Sequence, residues 1–296
     1  MKVVGLDEIR PVATPALIFP AVRAALIAHA EGRTVVPPPM VLDFPRGDCH
    51  VKAGYLAGSP YFAVKTAGTF DAGNNGLMLV LDAAAGGPVA LLADEGMLTA
   101  WRTAAAGALV TDAMTPLDVD EIAVVGTGEQ ALLQVLWLRE LRAVSRVQVW
   151  GRRSDAVDTL CAQFAAAGIK AVAGSGRWGA ACVITTTSAR EPLPFELFQD
   201  AVHITGIGTD MPGKCELPIE VFDGALVATD DHEQCLDHGD FGNAVRAGVV
   251  APDIDVAVGA VLRDGADRER RSIADLTGIG AADAAVAGAV VDQLSG

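Results

Sequence analysis

The 296-residue sequence has no apolar run that approaches the roughly 20 residues needed to cross a bilayer. Its first residues, MKVVGLDEIRPVATP, carry acids early and lack a long apolar h-region, so no signal peptide is expected. Cysteine is sparse and scattered: Cys49, Cys161, Cys182, Cys215 and Cys235 are odd in number and form no CxxC pair. Neither a disulfide framework nor a zinc site is expected, and reduced, buried thiols in a cytoplasmic protein are the simplest reading. Positive charge is also in short supply, with 22 Lys plus Arg against 37 Asp plus Glu and a formal charge of −15. Such a chain repels phosphate backbones and anionic lipid heads, so nucleic acid and membrane surfaces are not expected partners. Any anionic ligand must then be held by a few locally placed cations.

What is present in quantity is apolar. Hydrophobic residues make up 51% and charged residues 20%, enough for a large core and an argument against disorder. The length suits two domains. The first half opens with a helix, with Thr14 as N-cap, Pro15 at N1 and Gly32 after the last turn. Beyond Pro37, Pro38 and Pro39 come short extended segments, HVKAGYL, YFAVKT, LMLVLD and PVALLA, the last two flanking a turn at AAAGG. They suggest an antiparallel sheet, followed by a helix from about Leu98 to Asp112. TPLDVD, from Thr115, is a polar connector and the expected domain boundary. After it, strands alternate with helices: EIAVVG, a helix from about Gln130 to Arg142, RVQVW, a helix capped by Ser154, then ACVITTT, AVHITGIG and ALVATD. That alternation means βαβ units and a parallel sheet. The last helix, from about Ala281 to Leu294, is expected to return to the first domain.

GTGEQA follows the strand IAVV and precedes a helix. Gly126 permits the tight turn, Gly128 lets backbone approach a pyrophosphate, and Ala131 lets helix and strand pack closely. Thr127, Glu129 and Gln130 complete a turn whose helix N-terminus offers N–H groups to phosphate. The next strand should end beside the adenosine ribose, where an NAD enzyme usually carries an acid. Here it ends in Trp150, Gly151, Arg152, Arg153 and Ser154. Two guanidinium groups suit a 2′-phosphate, so NADP(H) is expected in preference to NAD(H).

Three ionisable residues stand out. Lys65 lies on the strand face of Tyr61 and Ala63, Arg102 in an Ala-rich helix nearly free of charge, and Asp210 just past a buried strand. Spacing alone leaves each open to a structural reading: a solvated lysine, an ion-paired arginine, a turn aspartate.

The blocks HVKAGYLAGSPYFAVKTAGTF, LLADEGMLTAWRTAAAGAL, VVGTGEQALLQ, HITGIGTDMPGKCEL and DLTGIGAADAAVA occur in this order from about His50 to Ala287. They resemble the successive signatures of the ornithine cyclodeaminase/mu-crystallin family. The resemblance implies an α/β protein with a Rossmann-type doubly wound parallel sheet domain, residues 116–274. A smaller α+β substrate and dimerisation domain would be built from residues 1–115 and 275–296. It implies a homodimer that uses NAD(P)(H) to move hydride at the α-carbon of a small amino or imino acid, with no metal. By motif, Lys65 matches the active-site lysine and Arg102 the arginine that binds the substrate carboxylate. Asp210 matches the acid near the substrate amine. Thr103 matches a residue near the cofactor phosphates. Thr185, Thr186 and Thr187 resemble the loop beneath the cofactor, with Gly208 a further cofactor contact, and Thr277 and Gly278 resemble the segment closing over the nicotinamide side.

Two departures qualify the match. No arginine sits at the place matching the family's carboxylate clamp ahead of the Met-Pro-type segment, which here reads VVPPPMVLDFP, and Leu132 follows the QA dipeptide where arginine is common. His50 and Lys52 fall where cyclodeaminases place an acid for the side-chain amine, and a cation there disfavours an ornithine side chain. The expected activity is therefore amino acid dehydrogenase or ketimine reductase. A cyclodeaminase that recycles NAD and releases ammonia is the first alternative, and a non-catalytic NADP-binding protein the second.

Overall fold

In a computed structural model, residues 1–71, 73–175 and 179–296 are described. In chain order the first part contains β1 (Lys2–Gly5), α1 (Leu6–Ile9), α2 (Pro15–Ala30), β2 (Thr34–Val35), β3 (Met40–Phe44), β4 (Gly47–Leu56), β5 (Tyr61–Phe70), β6 (Gly73–Asp82), β7 (Pro88–Ala93) and α3 (Met97–Met114). It continues with β8 (Glu121–Val125), α4 (Glu129–Leu138), β9 (Arg146–Trp150), α5 (Ser154–Ala166), β10 (Lys170–Ala173), β11 (Cys182–Thr185), β12 (His203–Gly206), β13 (Leu226–Thr229), α6 (His232–His238), α7 (Asp240–Arg246), β14 (Val256–Ala257), α8 (Val258–Asp264), β15 (Ser272–Asp275) and α9 (Gly280–Ser295). Two compact units result: residues 1–106 with 278–296, and residues 107–277. The division falls inside α3, because that helix runs unbroken past Ala106 and gives side chains to both units.

The first unit is a sheet in the order β1-β7-β6-β5-β4-β2, with β3 also pairing β4. Its long strands β4, β5, β6 and β7 are antiparallel, as short connections require, while β1 joins β7 in parallel. Pro15 is the first residue of α2 and Thr14 its N-cap, although the Thr14 side chain makes no capping hydrogen bond. α9 packs on α2 and across β4 and β5. Ile18, Val22 and Leu26 of α2, Met78 and Val80 of β6, and Val286 and Val290 of α9 are buried in this core.

The second unit is a wholly parallel sheet in the order β10-β9-β8-β11-β12-β15-β13-β14. The chain runs outward from β8 to β10, then restarts on the other side of β8 at β11. The carboxyl end of β8 is therefore a topological switch point, where open α/β sheets bind ligands. Val125, Val183, Ile204, Val227 and Ile273 fill the sheet side of the core against Phe198, Phe222 and Phe241. The chain order hides β15: its four residues, SIAD, carry no obvious strand signature, yet they lie between β12 and β13 and are fully buried. Arg153, in extended backbone, is the N-cap of α5, so Ser154 is its first helical residue and not its cap.

Candidate functional site

The first unit gathers a few charged residues onto one buried face. On β4, alternation sends His50, Lys52 and Gly54 inward, and on β5 Ala63 and Lys65 share that face. Lys52 and Lys65 are cross-strand partners. Such like-charged neighbours are unfavourable unless something offsets them. The offset comes from Asp283 in the first turn of α9, where a carboxylate also suits the helix dipole. Lys65 Nζ lies 3.1 Å from Asp283 Oδ2, and Arg102 Nε, from α3, donates to Asp283 Oδ1 at 2.7 Å. Lys52 Nζ donates to the Gly278 carbonyl at 2.7 Å. Lys65, Arg102 and Asp283 are 2%, 5% and 1% exposed, so the whole cluster is withdrawn from water.

Burial dominates the electrostatics. It lowers the Lys65 pKa to about 7; Arg102 and Lys52 act in the same direction, and Asp283 opposes them. Burial alone would raise Asp283, but Arg102, Lys65 and Lys52 together hold its carboxyl below the usual range. Asp94, buried at the head of α3, accepts from Leu98 N at 2.7 Å; burial raises its pKa, and Lys65 opposes the rise. Lys52, Lys65 and Arg102 against Asp283 and Asp94 leave a local surplus of positive charge in a chain of net charge −15. Such a surplus is chemically suited to a carboxylate, with a guanidinium able to grip it in bidentate fashion. His50 lies on the same face with its Nε2 3.5 Å from Asp48 Oδ1. Thr103, one residue beyond Arg102, donates its hydroxyl to Thr99 O at 2.8 Å.

The second unit builds the phosphate turn. Gly126 has φ of 123°, and a Cβ there would come within 2.5 Å of Thr186 Oγ1. Only glycine fits, and the turn sits directly against the loop after β11, where Thr186 N donates to Val125 O at 2.9 Å. Gly128 is the N-cap of α4, and a Cβ on it would meet nothing within 4 Å. The open space at the N-terminus of α4, with Thr127 and Glu129 on either side of Gly128, suits a pyrophosphate held by helix N–H groups. Gln130 accepts from Gln134 Nε2 at 3.1 Å, and Ala131 is buried against the sheet. Arg152, Arg153 and Ser154 follow β9 and are exposed.

Glu216, buried in the PGKCEL block, ties the loops at the strand ends together. Its Oε2 accepts from Thr185 Oγ1 and from Gly208 N, both at 2.7 Å, and its Oε1 accepts from Thr187 N. Asp210 instead pairs with Lys214 Nζ at 2.5 Å and is half-exposed. Thr277 donates both its N–H and its hydroxyl to Asp230 Oδ1, at 3.0 and 3.1 Å. Deeper still, Asp275 and Asp240 are fully buried with few compensating charges. Burial raises Asp275 to about 7, with Asp230 and Glu216 adding to it, and pushes Asp240 up as well. A carboxyl whose folded pKa lies above its unfolded value loses stability as pH rises from about 4 through 7. Asp275→Asn can keep the Phe241 N–H bond through its oxygen and meet Thr209 Oγ1 through its amide. It is therefore expected to raise the melting temperature at pH 8 by roughly 2–4 °C for each 1 kcal/mol regained. The gain should vanish near pH 4, which calorimetry at both pH values checks.

The sequence matches the ornithine cyclodeaminase/mu-crystallin family over residues 8–296. The chain belongs to this family. A protein of Sinorhizobium fredii described as an uncharacterized cyclodeaminase is 32% identical over 289 residues, covering 90% of this chain and 86% of its own. Among solved structures, an archaeal alanine dehydrogenase dimer with bound NAD superposes with a TM-score of 0.88 at 26% identity, covering 99% of this chain and 95% of that one. The iminosuccinate reductase of Paracoccus denitrificans in complex with NAD+ gives 0.89 at 27% identity, covering 100% and 96%.

Against the family blocks, the structure brings Lys65, Arg102, Lys52 and Gly278 into one cluster and places Gly126, Gly128, Thr186, Thr187 and Gly208 at the strand ends of the second unit. Sequence reasoning missed Asp283 and Glu216. For Asp283 a signal existed: Arg102 stands out as a charge in an Ala-rich helix, and Asp283 stands out in α9 for the same reason and with the opposite sign. Glu216 lies inside a recognised block but shows its role only through the loops it joins.

Proposed function

We propose that the chain is an NAD(P)-dependent oxidoreductase acting at the α-carbon of a small amino or imino acid, as an amino acid dehydrogenase or ketimine reductase. The observation that carries this reading is the buried Lys65–Arg102–Asp283–Lys52 cluster. Its surplus of positive charge fits a substrate carboxylate, and its lysine titrates near neutrality. Arg102 grips the carboxylate and orients the α-carbon. Lys65, with a pKa of about 7, holds or moves a proton at the substrate nitrogen. Asp210 is the acid that stabilises positive charge at that nitrogen. His50, Lys52 and Thr277 line the substrate side. The dinucleotide, bound at the Gly126–Ala131 turn, supplies or accepts hydride. Thr103, Thr186, Thr187 and Gly208 position it. The bound NAD described for the two solved relatives supports this use of the turn.

Lys52 favours a neutral or acidic side chain over a cationic one, which argues against a diamino acid substrate despite the cyclodeaminase description of one relative. The assay is a panel of 2-oxo acids with ammonium or methylamine and NADPH, and of L-amino acids with NADP+, read at the reduced nicotinamide band. Ammonia release from ornithine without net absorbance change makes the chain a cyclodeaminase, and silence across both panels makes it a binding protein.

The preferred cofactor is NADP(H), with Arg152, Arg153 and Ser154 receiving the 2′-phosphate. Two charge-assisted contacts of this kind are worth about 1.5–3 kcal/mol each. Arg152→Ala and Arg153→Ala are each expected to weaken NADPH about 10–100-fold while leaving NADH nearly unchanged. Fluorescence titration checks this, and wild-type protein that binds NADH more tightly than NADPH overturns the preference. A homodimer is favoured by the exposed apolar residues Met40, Leu42 and Phe44 of β3 and Phe70 of β5, and by the dimer described for the archaeal relative. Among the described residues no helix is long and apolar enough to cross a membrane. Five free thiols accord with a cytoplasmic location.

A further inference from the structure

We propose that Asp283 is the positioning residue of the cationic site: it fixes the Arg102 guanidinium by its Nε edge and seats the Lys65 ammonium beside it. The proposal rests on the reading of Lys65 and Arg102 as substrate-facing groups. One carboxylate serves both cations, with Oδ1 at 2.7 Å from Arg102 Nε and Oδ2 at 3.1 Å from Lys65 Nζ. Contact at Nε sets the plane of the guanidinium and engages neither Nη, the pair that a substrate carboxylate meets in a bidentate grip.

The segment leading into α9 completes the arrangement. Gly278 has φ of 82°, and a Cβ there would come 2.9 Å from Arg102 Nη1 and 3.3 Å from Nη2. Its missing side chain keeps those nitrogens clear, while its carbonyl accepts from Lys52 Nζ at 2.7 Å. Five residues later in the chain, Asp283 takes the other two cations. One short block, Gly278–Asp283, thus organises Lys52, Lys65 and Arg102, which come from β4, β5 and α3.

A purely structural ion pair would explain the contacts but would tie neither turnover nor carboxylate affinity to Asp283. The charged groups that face Lys65 are Asp283 from α9, Arg102 from α3, Lys52 from β4 and Asp94 from the head of α3. Of the two acids, Asp94 has its own proton affinity raised by burial, so Asp283 is the group that opposes proton loss from Lys65. An opposite charge at this distance moves a pKa by about one to three pH units.

The test uses the full-length protein with NADPH, ammonium and the best 2-oxo acid of the panel, with oxalate as a non-reacting carboxylate probe. NADPH affinity and circular dichroism report folding. Asp283→Asn keeps shape and one acceptor for Arg102 but removes the charge. It is expected to move the alkaline limb of kcat down by about one to three pH units while changing the oxalate Kd little. Asp283→Ala releases Arg102 as well and is expected to weaken oxalate about tenfold or more. If removing the charge prevents folding, Asp283→Glu carries the test. Its carboxylate is displaced by one methylene, so oxalate should weaken about tenfold while the alkaline limb stays in place. Folded variants with the wild-type pH profile and wild-type oxalate Kd overturn the proposal. Lys65→Met and Arg102→Gln run in parallel separate it from its foundation. If both keep wild-type turnover and oxalate affinity, the substrate-site reading fails. If they lose these properties while all Asp283 variants match wild type, only the positioning role fails.

Discussion

Lys65→Met is expected to lower turnover by about 10²–10⁴ while leaving dinucleotide affinity unchanged, because a proton-transfer group is lost and the phosphate turn lies in the other unit. The direction of the pH dependence follows from the same site. In reductive amination the protonated lysine is the active form, so wild-type kcat should fall as pH rises through about 7. In amino acid oxidation the neutral lysine is needed, so the limb inverts and kcat rises through the same region. The variant should show neither limb. A variant with ordinary turnover, or wild-type profiles flat between pH 6 and 8 in both directions, removes Lys65 from the chemistry. Methionine is the replacement of choice because it fills the apolar length of the lysine and leaves Asp283 its Arg102 partner.

How much of this was legible in the sequence depended on whether the deciding interaction was local. The phosphate turn was readable because a tight turn, a close backbone approach and a helix start all act within six consecutive residues, Gly126 to Ala131. The α2 start was readable for the same reason, since Thr14 and Pro15 act on their own backbone. Lys65 and Arg102 were visible as charges out of place, but the reason they tolerate burial lies some 180 residues away in Asp283, which shows in the sequence as an acid in an Ala-rich helix without showing which cations it meets. β15 escaped notice because four residues with two polar members look like loop until neighbours on both sides bury them. The domain division is hidden for another reason: α3 has no break at Ala106, since a helix can serve two cores without changing its own sequence grammar.

Glu216→Ala is expected to be the most damaging single change in the second unit. The side chain is wholly buried and accepts from Thr185 Oγ1, Gly208 N and Thr187 N, so its removal strands donors from two loops at once. Each unpaired buried donor costs about 1–3 kcal/mol, and breaking a buried charged network typically costs about 3–5 kcal/mol. At 2–4 °C per kcal/mol for a unit of this size, the melting temperature should fall by roughly 6–20 °C. Burial raises the Glu216 pKa while Thr187, Thr185 and Gly208 pull it down, so the donors are what keep this carboxylate tolerable inside the fold. Glu216→Gln retains volume but turns an NH2 group toward donors that need an acceptor, and it should recover only part of the loss. Both loops follow carboxyl ends of parallel strands, where dinucleotides lie. NADPH affinity should therefore fall about tenfold or more in whatever fraction remains folded. Calorimetry and cofactor titration on the same preparations check both halves. A variant that melts within about 2 °C of wild type and binds NADPH normally would show that the loops hold their shape without this residue.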